Sequence, residues 1–562
     1  MRKYRFTFMY VMASVVLGCA VAWAAPEGHF VPLNPDFLSS RNGSKERNAS
    51  AFAVGDFKRG VFPGPIDWGY LQGAQVGGSN AALPAKFDLE EEGRLTGVLS
   101  QGKWGTCWAF ASMESVESSL LSATGDAYDL SELNLAWFAY YDERPAKPGY
   151  TSHVTEPSEN PVLDNGGVMM LEQVTALFSR GTGPAYESDA PYPHVPEEEV
   201  ASYVPNPLPY APARFRLKEA VRFTDIGNIK KALVDTGGLL TAIGIHAGYC
   251  DDERGRIYTP KPLEVNHAVM LVGWDDTYPR TNFETPEGLQ PLGDGAWKIQ
   301  NSWGTQAGNR GYYWVSYEDR TFLVEQGAAA FTMEPVENYD GIYFHDPLGV
   351  CALWERPSNP AGVSIANAFT ADRDEKIVSV GFVTANTNMA YEIQVYKNLE
   401  SGGAPDSGEP FFEVPQKGAA GATGYRSVVL NETVPLAKGE RFAIVVTLRN
   451  SNSSEPADKI ALPVEVAVSG YSDKATVSEG ESYLKSAGIW KDAFFNEESI
   501  DDDDDNDEGD PFNLCVKAFT VGTPSSDDSS SSGCNAGGAF GAAVLLLGFY
   551  WSRLSRTPNK KR

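Results

Sequence analysis

Six cysteines and six histidines in 562 residues are few, and basic residues are outnumbered 74 to 46 by acidic ones. Each shortage excludes something. Cys19 and Cys534 fall in the terminal segments, which leaves Cys107, Cys250, Cys351 and Cys515 across roughly 500 residues. That is too few for a fold built on disulfides, so stability must come from packed cores. A formal charge of -28 and a pI near 4.7 exclude a nucleic-acid partner, because binding phosphate needs basic surface. Six histidines leave a short roster of general bases. What is abundant is core material: 42% hydrophobic residues, with 12 Trp, 25 Tyr and 28 Phe. The length suggests two folded domains plus extensions.

The first residues decide the compartment. Arg2, Lys3 and Arg5 precede an apolar run from about Phe6 to Ala22, then Ala22-Trp23-Ala24. This order predicts a secretory signal peptide over 1–24, cut before Ala25, and a protein that is secreted or attached to the cell envelope. Val16-Leu17-Gly18-Cys19 offers a lipobox alternative, with Leu17 bulky for its place. Residues 25–82 are polar and broken by Gly, Pro and Asn. They read either as a short pro-segment or as a strap wrapped on the next domain.

From 83 to 333 helical and strand signals mix. Ala109, Met113, Val116 and Leu120 recur at helical spacing after Cys107, which predicts a helix with a buried face. Ala268 to Trp274 is a near-continuous apolar run, as in a strand covered on both faces, and Ala296–Gln300 and Tyr312–Val315 read as further strands. Helices first and strands later give an α+β domain. Over 334–521 short β-branched and aromatic runs (Ile377–Thr384, Tyr391–Tyr396, Phe442–Leu448, Ile460–Val466, Cys515–Val521) alternate with turn residues, the pattern of an all-β sandwich. Cys351 and Cys515 are placed to bridge its first and last strands. A Ser/Asp linker over 522–533 leads to a 534–562 segment, in which the apolar stretch Asn535–Trp551 precedes a basic end. At about 17 residues it is at the short limit for a membrane contact or span.

Chemistry concentrates at Gln101-Gly102-Lys103-Trp104-Gly105-Thr106-Cys107-Trp108. A thiol sits where a glycine-bearing loop opens a helix, and the helix N-terminus offers unpaired N–H groups and partial positive charge that favour a thiolate. Gln101 is positioned to aim its side-chain amide at a developing oxyanion, alongside the Cys107 N–H. Asn266-His267-Ala268 leads into the apolar strand, so His267 opens a strand and can face a cleft. A second strand ends in Gln300-Asn301-Ser302-Trp303-Gly304, where Asn301 can orient the imidazole and Trp303 can screen that hydrogen bond. Nucleophile, base and orienter are all present. Among the competitors, His29, His153, His194 and His345 lie in polar or Pro-rich surroundings and read as surface residues. His246, after Ile243-Gly244-Ile245, reads as a buried core residue.

With these motifs the chain resembles the papain-like cysteine peptidases over roughly Leu83 to Met333. Leu83-Pro84-Ala85-Lys86-Phe87-Asp88-Leu89 is similar to the opening of the mature enzyme, Leu130-Ser131-Glu132 to a further signature, and Gly308 with Gly311-Tyr312-Tyr313 to the stretch after the catalytic Asn. The resemblance implies a two-lobed α+β catalytic domain and hydrolysis of peptide or protein substrates through a Cys107–His267 thiolate–imidazolium pair. It also implies that Asn165, Gly166 and Gly167 pair with substrate backbone. Departures are visible. Trp104 stands where the family usually has a disulfide cysteine, the long helical inhibitory propeptide is missing, and Cys107 to His267 spans more than the roughly 130–150 residues usual in the family. The excess fits surface insertions, notably Asp275 to Asp294.

The β-rich region resembles the lectin-like domain found beside bacterial papain-type peptidases, which implies surface carbohydrate as a second partner; a spacer is the alternative. The tail around Gly533-Cys534-Asn535-Ala536-Gly537-Gly538 resembles a Synerg-CTERM sorting signal, which implies processing near Cys534; a plain membrane anchor is the other reading. No cofactor is expected beyond Ca²⁺ as a candidate for Asp501–Asp510, a run that otherwise reads as a solvated loop. An adhesin with an inactive peptidase fold, and a transpeptidase using the same triad, are the competing functions.

Overall fold

The computed structural model describes residues 28–42, 60–76, 82–140, 167–168, 170–195, 211–324, 326–357, 361–451, 459–500 and 509–523. The segment read as a signal peptide, the acidic run 501–508 and the C-terminal tail lie outside the described residues, as do Asn165 and Gly166. Among the described residues no helix is long and apolar enough to cross a membrane.

The N-terminal segment carries β1 (His29–Phe30), α1 (Pro35–Asn42) and β2 (Val61–Phe62). The helices of the 83–333 region follow: α2 (Cys107–Thr124), α3 (Glu132–Tyr140), α4 (Met170–Ser179) and α5 (Ile226–Thr236). Helix α2 stops where Gly125 takes a left-handed conformation and returns its N–H to Leu121 O. Its four periodic apolar residues are buried as expected, but so is most of its opposite face, so its polar side chains find partners inside. Ser112 and Ser115 donate to the carbonyls of Trp108 and Ala111 at 2.6 and 2.7 Å.

Glu117 accepts from Thr96 Oγ1 at 2.6 Å and from the Leu130 N–H at 2.7 Å. Burial still pushes its carboxyl up to about 7, with Asp129 and Glu187 adding to the shift. A carboxyl raised on folding costs nothing while both states are protonated. The cost grows as pH climbs from about 4.5 to 7 and is constant above. Glu117→Gln is therefore expected to raise the melting temperature by about 3 °C at pH 8 and by nothing at pH 4, read by calorimetry.

Strand β3 (Gly167–Val168) lies beside β2, and the catalytic sheet runs in the order β4 (Phe215–Phe223), β9 (Ala328–Pro335), β5 (Leu239–Ile243), β6 (His267–Asp275), β7 (Ala296–Gln300), β8 (Tyr312–Ser316). The apolar β6 is flanked on both sides and buried over eight of its nine residues. Two cores result. One holds the helices and continues into the C-terminal domain; the other fills the sheet lobe.

Beyond β9 every strand foreseen from the sequence is present, in three sheets, with short 3-10 turns as the helical content among the described residues. Strands β10 (Ala352–Pro357), β11 (Val363–Thr370), β12 (Glu375–Thr384), β13 (Met389–Lys397), β14 (Thr423–Leu436), β15 (Arg441–Asn450), β16 (Lys459–Glu465) and β17 (Val516–Gly522) build them. β13, β15 and β11 form one sheet; β17, β12 and β14 belong to a second; β10 and β16 pair in a third, with β1 at its edge.

The second sheet does not end at the domain boundary. β14 pairs antiparallel with β4, Thr423 opposite Arg222 and Arg426 opposite Glu219, so one sheet passes through both domains. Gly424 makes the seam close: a β-carbon there would collide with the Ala220 carbonyl oxygen.

Three expectations are corrected. Cys351 and Cys515 are both buried but remain free thiols; Cys351 Sγ turns to Gly349 O at 3.7 Å while Cys515 faces Asp346. His246 is half-exposed, its Nε2 on Glu264 O at 2.9 Å, because the strand ends at Ile243 and the chain turns outward. His345, read as a surface residue, is instead stacked on Phe369.

Candidate active site

The site lies where the two cores meet. Cys107 opens α2 in the helical lobe, and His267 opens β6 in the sheet lobe. The backbone N–H of Ala268 reaches Cys107 Sγ at 3.4 Å, which ties the start of β6 to the sulfur. His267 Nε2 lies 2.7 Å from Asn301 Oδ1, which also accepts the Ser302 N–H at 2.8 Å. An amide oxygen can only accept, so the imidazole proton sits on Nε2 and Nδ1 is left basic. The Trp303 ring covers the imidazole, centroids 5.0 Å apart.

Gln101 is fully buried beside the sulfur. Its Nε2 donates to Trp104 O at 2.6 Å, leaving one amide hydrogen over, and its Oε1 accepts from Ser302 Oγ at 2.6 Å. Tyr192 Oη bridges Thr106 Oγ1 and Gln101 O at 2.6 and 3.0 Å, pinning the loop before the nucleophile. Cys107, His267, Asn301, Gln101 and Trp303 thus converge. Gly167 contributes β3, while Asn165 and Gly166 lie outside the described residues.

Sequence reasoning missed the occupant of the cleft. Val61 and Phe62 pair in parallel with Gly167 and Val168, and the Gly60 N–H donates to Asn266 O at 3.3 Å. Gly60 rests on the nucleophile: a β-carbon there would fall inside contact distance of Cys107 Sγ and within 2.5 Å of the Gly105 carbonyl oxygen. A lone glycine in a polar stretch carries no signal of this. Ser302 was also missed, although it stands inside the Asn301–Trp303 motif.

With the cleft filled, the site is dry. Burial pushes the Cys107 thiol up to about 12, against the N–H groups of Ala268, Trp108, Cys107 and Gly60, which pull it down. Burial draws the His267 imidazole down to about 4, against its hydrogen bond to Asn301. In this closed state burial works against charge on both groups.

Residues 83–332 match the family model of the papain family cysteine protease, and 342–520 that of the lectin like domain. The chain therefore carries a papain-family domain followed by a lectin-like domain. Over 275 residues it is 29% identical to a probable cysteine protease of Arabidopsis thaliana, covering 46% of this chain and 65% of that one. Over 236 residues it is 27% identical to cathepsin S of Mus musculus, covering 42% and 59%. The matches thus span about three fifths of those relatives' own length. The cysteine protease and lectin-like domains of Cwp84, a surface layer associated protein of Clostridium difficile, superpose with a TM-score of 0.70 at 23% identity, over 89% of this chain and 99% of that one. A structure of clostridial Cwp84 after propeptide cleavage gives 0.63 at 25%, over 78% and 99%.

Proposed function

We propose that the protein is an extracytoplasmic cysteine endopeptidase held as a zymogen by its own N-terminal segment. The observation that carries this is the convergence of Cys107, His267 and Asn301 across the lobe boundary, with the His267–Asn301 bond at 2.7 Å. Once Gly60–Phe62 leave, water and a substrate strand take their place against Gly167, with Asn165 and Gly166 beside it. His267 Nδ1 takes the Cys107 proton, and the thiolate attacks the scissile carbonyl carbon. The resulting oxyanion receives the Cys107 N–H and the remaining Gln101 amide hydrogen. His267 then gives its proton to the leaving amine, and water hydrolyses the thioester. Asn301 keeps the ring in one tautomer, and Trp303 shields that bond from competing water.

The leader-like N-terminus supports export, and the sorting-like tail supports attachment to the envelope after processing near Cys534. Surface carbohydrate is the proposed second partner, through the lectin-like domain. The test uses the full chain, briefly acid-treated and mixed with an unfolded protein. Internal cleavage that stops when one epoxide probe is bound on Cys107 is expected. Cleavage that persists after Cys107 is fully alkylated overturns the reading.

A further inference from the structure

The strap that fills the cleft is not held by the catalytic domain alone. Its outer end lies on the lectin-like domain. His29 and Phe30 add β1 to the edge of β10, opposite Glu355 and Trp354, and the Val31 N–H continues the ladder to Leu353 O at 2.9 Å. Phe30 is buried edge-on against Trp354 and Phe512, with ring centroids 4.9 and 5.8 Å away. The Asn34 N–H reaches Pro65 O at 2.9 Å, so this outer end is locked to the part of the strap just beyond the cleft.

A third hold lies at the seam between domains. Trp68 packs on the guanidinium of Arg222, 4.7 Å from the ring, and Arg222 is itself buried in an ion pair with Glu172 at 2.6 Å. Arg222 stands opposite Thr423 in the shared sheet, so Trp68 sits where the two domains join. From the lectin-like side, Ala385 O accepts from Tyr70 Oη and Asn388 Nδ2 donates to Gln75 O, both at 2.8 Å.

We propose that the lectin-like domain is the receptor of the pro-segment: the β10 edge with its Trp354–Phe512 platform takes an extended, phenylalanine-bearing strand. That strand is the chain's own residues 28–31, and their docking keeps Gly60 on Cys107. Strand addition supplies main-chain hydrogen bonds, and one aromatic pocket supplies register. Because β4 and β14 fix the two domains to each other, the anchors are presented at a constant spacing. A short cleft-binding stretch then rebinds at high effective concentration. In this arrangement the lectin-like domain performs the holding of the cleft-filling stretch. The inference rests on the peptidase reading only for its consequence, not for its geometry.

The test is hydrogen exchange on the full chain, a readout that needs no catalysis. Phe30→Asp removes the aromatic anchor, and Val31→Pro removes the donor to Leu353; both lie in the strap, at the rim of the core that continues into the lectin-like domain. Each is expected to lower protection of the Gly60–Phe62 amides about tenfold, thirty residues from the change, with unaltered protection in β6 and β12. Each is also expected to speed epoxide labelling of Cys107 about tenfold. Unchanged protection at 60–62 while 28–31 exchanges freely would overturn the receptor role and leave the peptidase reading standing. Loss of protection at 60–62 without any peptide cleavage would support the receptor role while removing the peptidase reading.

Discussion

Gly60→Leu is expected to make Cys107 roughly a hundredfold more reactive toward an epoxide probe at neutral pH. The reason is steric. The β-carbon position at residue 60 is taken by Cys107 Sγ on one side and by the Gly105 carbonyl oxygen on the other. Neither can retreat: Gly105 is buried in the loop that opens α2, and the sulfur is walled in by Ala268, whose N–H it accepts. Overpacking such a site costs about 2–3 kcal/mol, and each 1.4 kcal/mol is a tenfold change in the open fraction. The strap is the softer partner and leaves, taking with it the Gly60 bond to Asn266 O and the pairing of Val61 and Phe62 with β3. The catalytic groups are untouched, so the gain appears in the labelling rate, measured by the mass of the modified protein over time. Wild-type labelling kinetics in a folded Gly60→Leu protein would show that Gly60 does not gate the sulfur.

The contrast between what was legible and what was not follows from the range of the interactions. Cys107 and His267 open elements whose periodicity is local and Asn301 directly follows one, so their places at α2, β6 and the end of β7 could be read from neighbours in sequence. The β-sandwich strands likewise announced themselves by alternation and turns. The strap did not, because its holding contacts lie with residues far along the chain: Phe30 with Trp354, Tyr70 with Ala385, Gly60 with Cys107. Its own composition is polar and aperiodic, and the two readings of residues 25–82, pro-segment or strap, cannot be told apart from composition. The β4–β14 seam was hidden for the same reason, since an edge strand pairs through its backbone and leaves little mark on its side chains. Buried Glu117 on α2 was invisible because charged residues ordinarily report solvent.

Acid is expected to release the strap, with a loss of protection at 60–71 on the order of fiftyfold between pH 7.5 and pH 4.5. The sign follows from His267. Burial beneath the strap lowers its imidazole to about 4, whereas in an open cleft the ring regains water and a value near 6.5. A base weakened in the closed state binds its proton better in the open one. The closed state is therefore at full strength above pH 6.5 and loses ground as pH falls toward 4. Beneath the strap the Cys107 thiol, pushed up to about 12, keeps its proton throughout this window. Two other groups face the strap. Burial raises the Glu172 carboxyl against the pull of Arg222, and a carboxyl raised beneath the strap binds its proton better in the closed state, so this group opposes release. The other is His29, 3.5 Å from Glu355 at the outer anchor, in a pair that is part-exposed and screened. Hydrogen exchange corrected for intrinsic rates reads the balance directly. Wild-type protection should fall with acid, and His267→Gln, which cannot take the proton, should flatten most of the response. A pH-independent wild type, or an equal fall in both proteins, would remove His267 as the trigger.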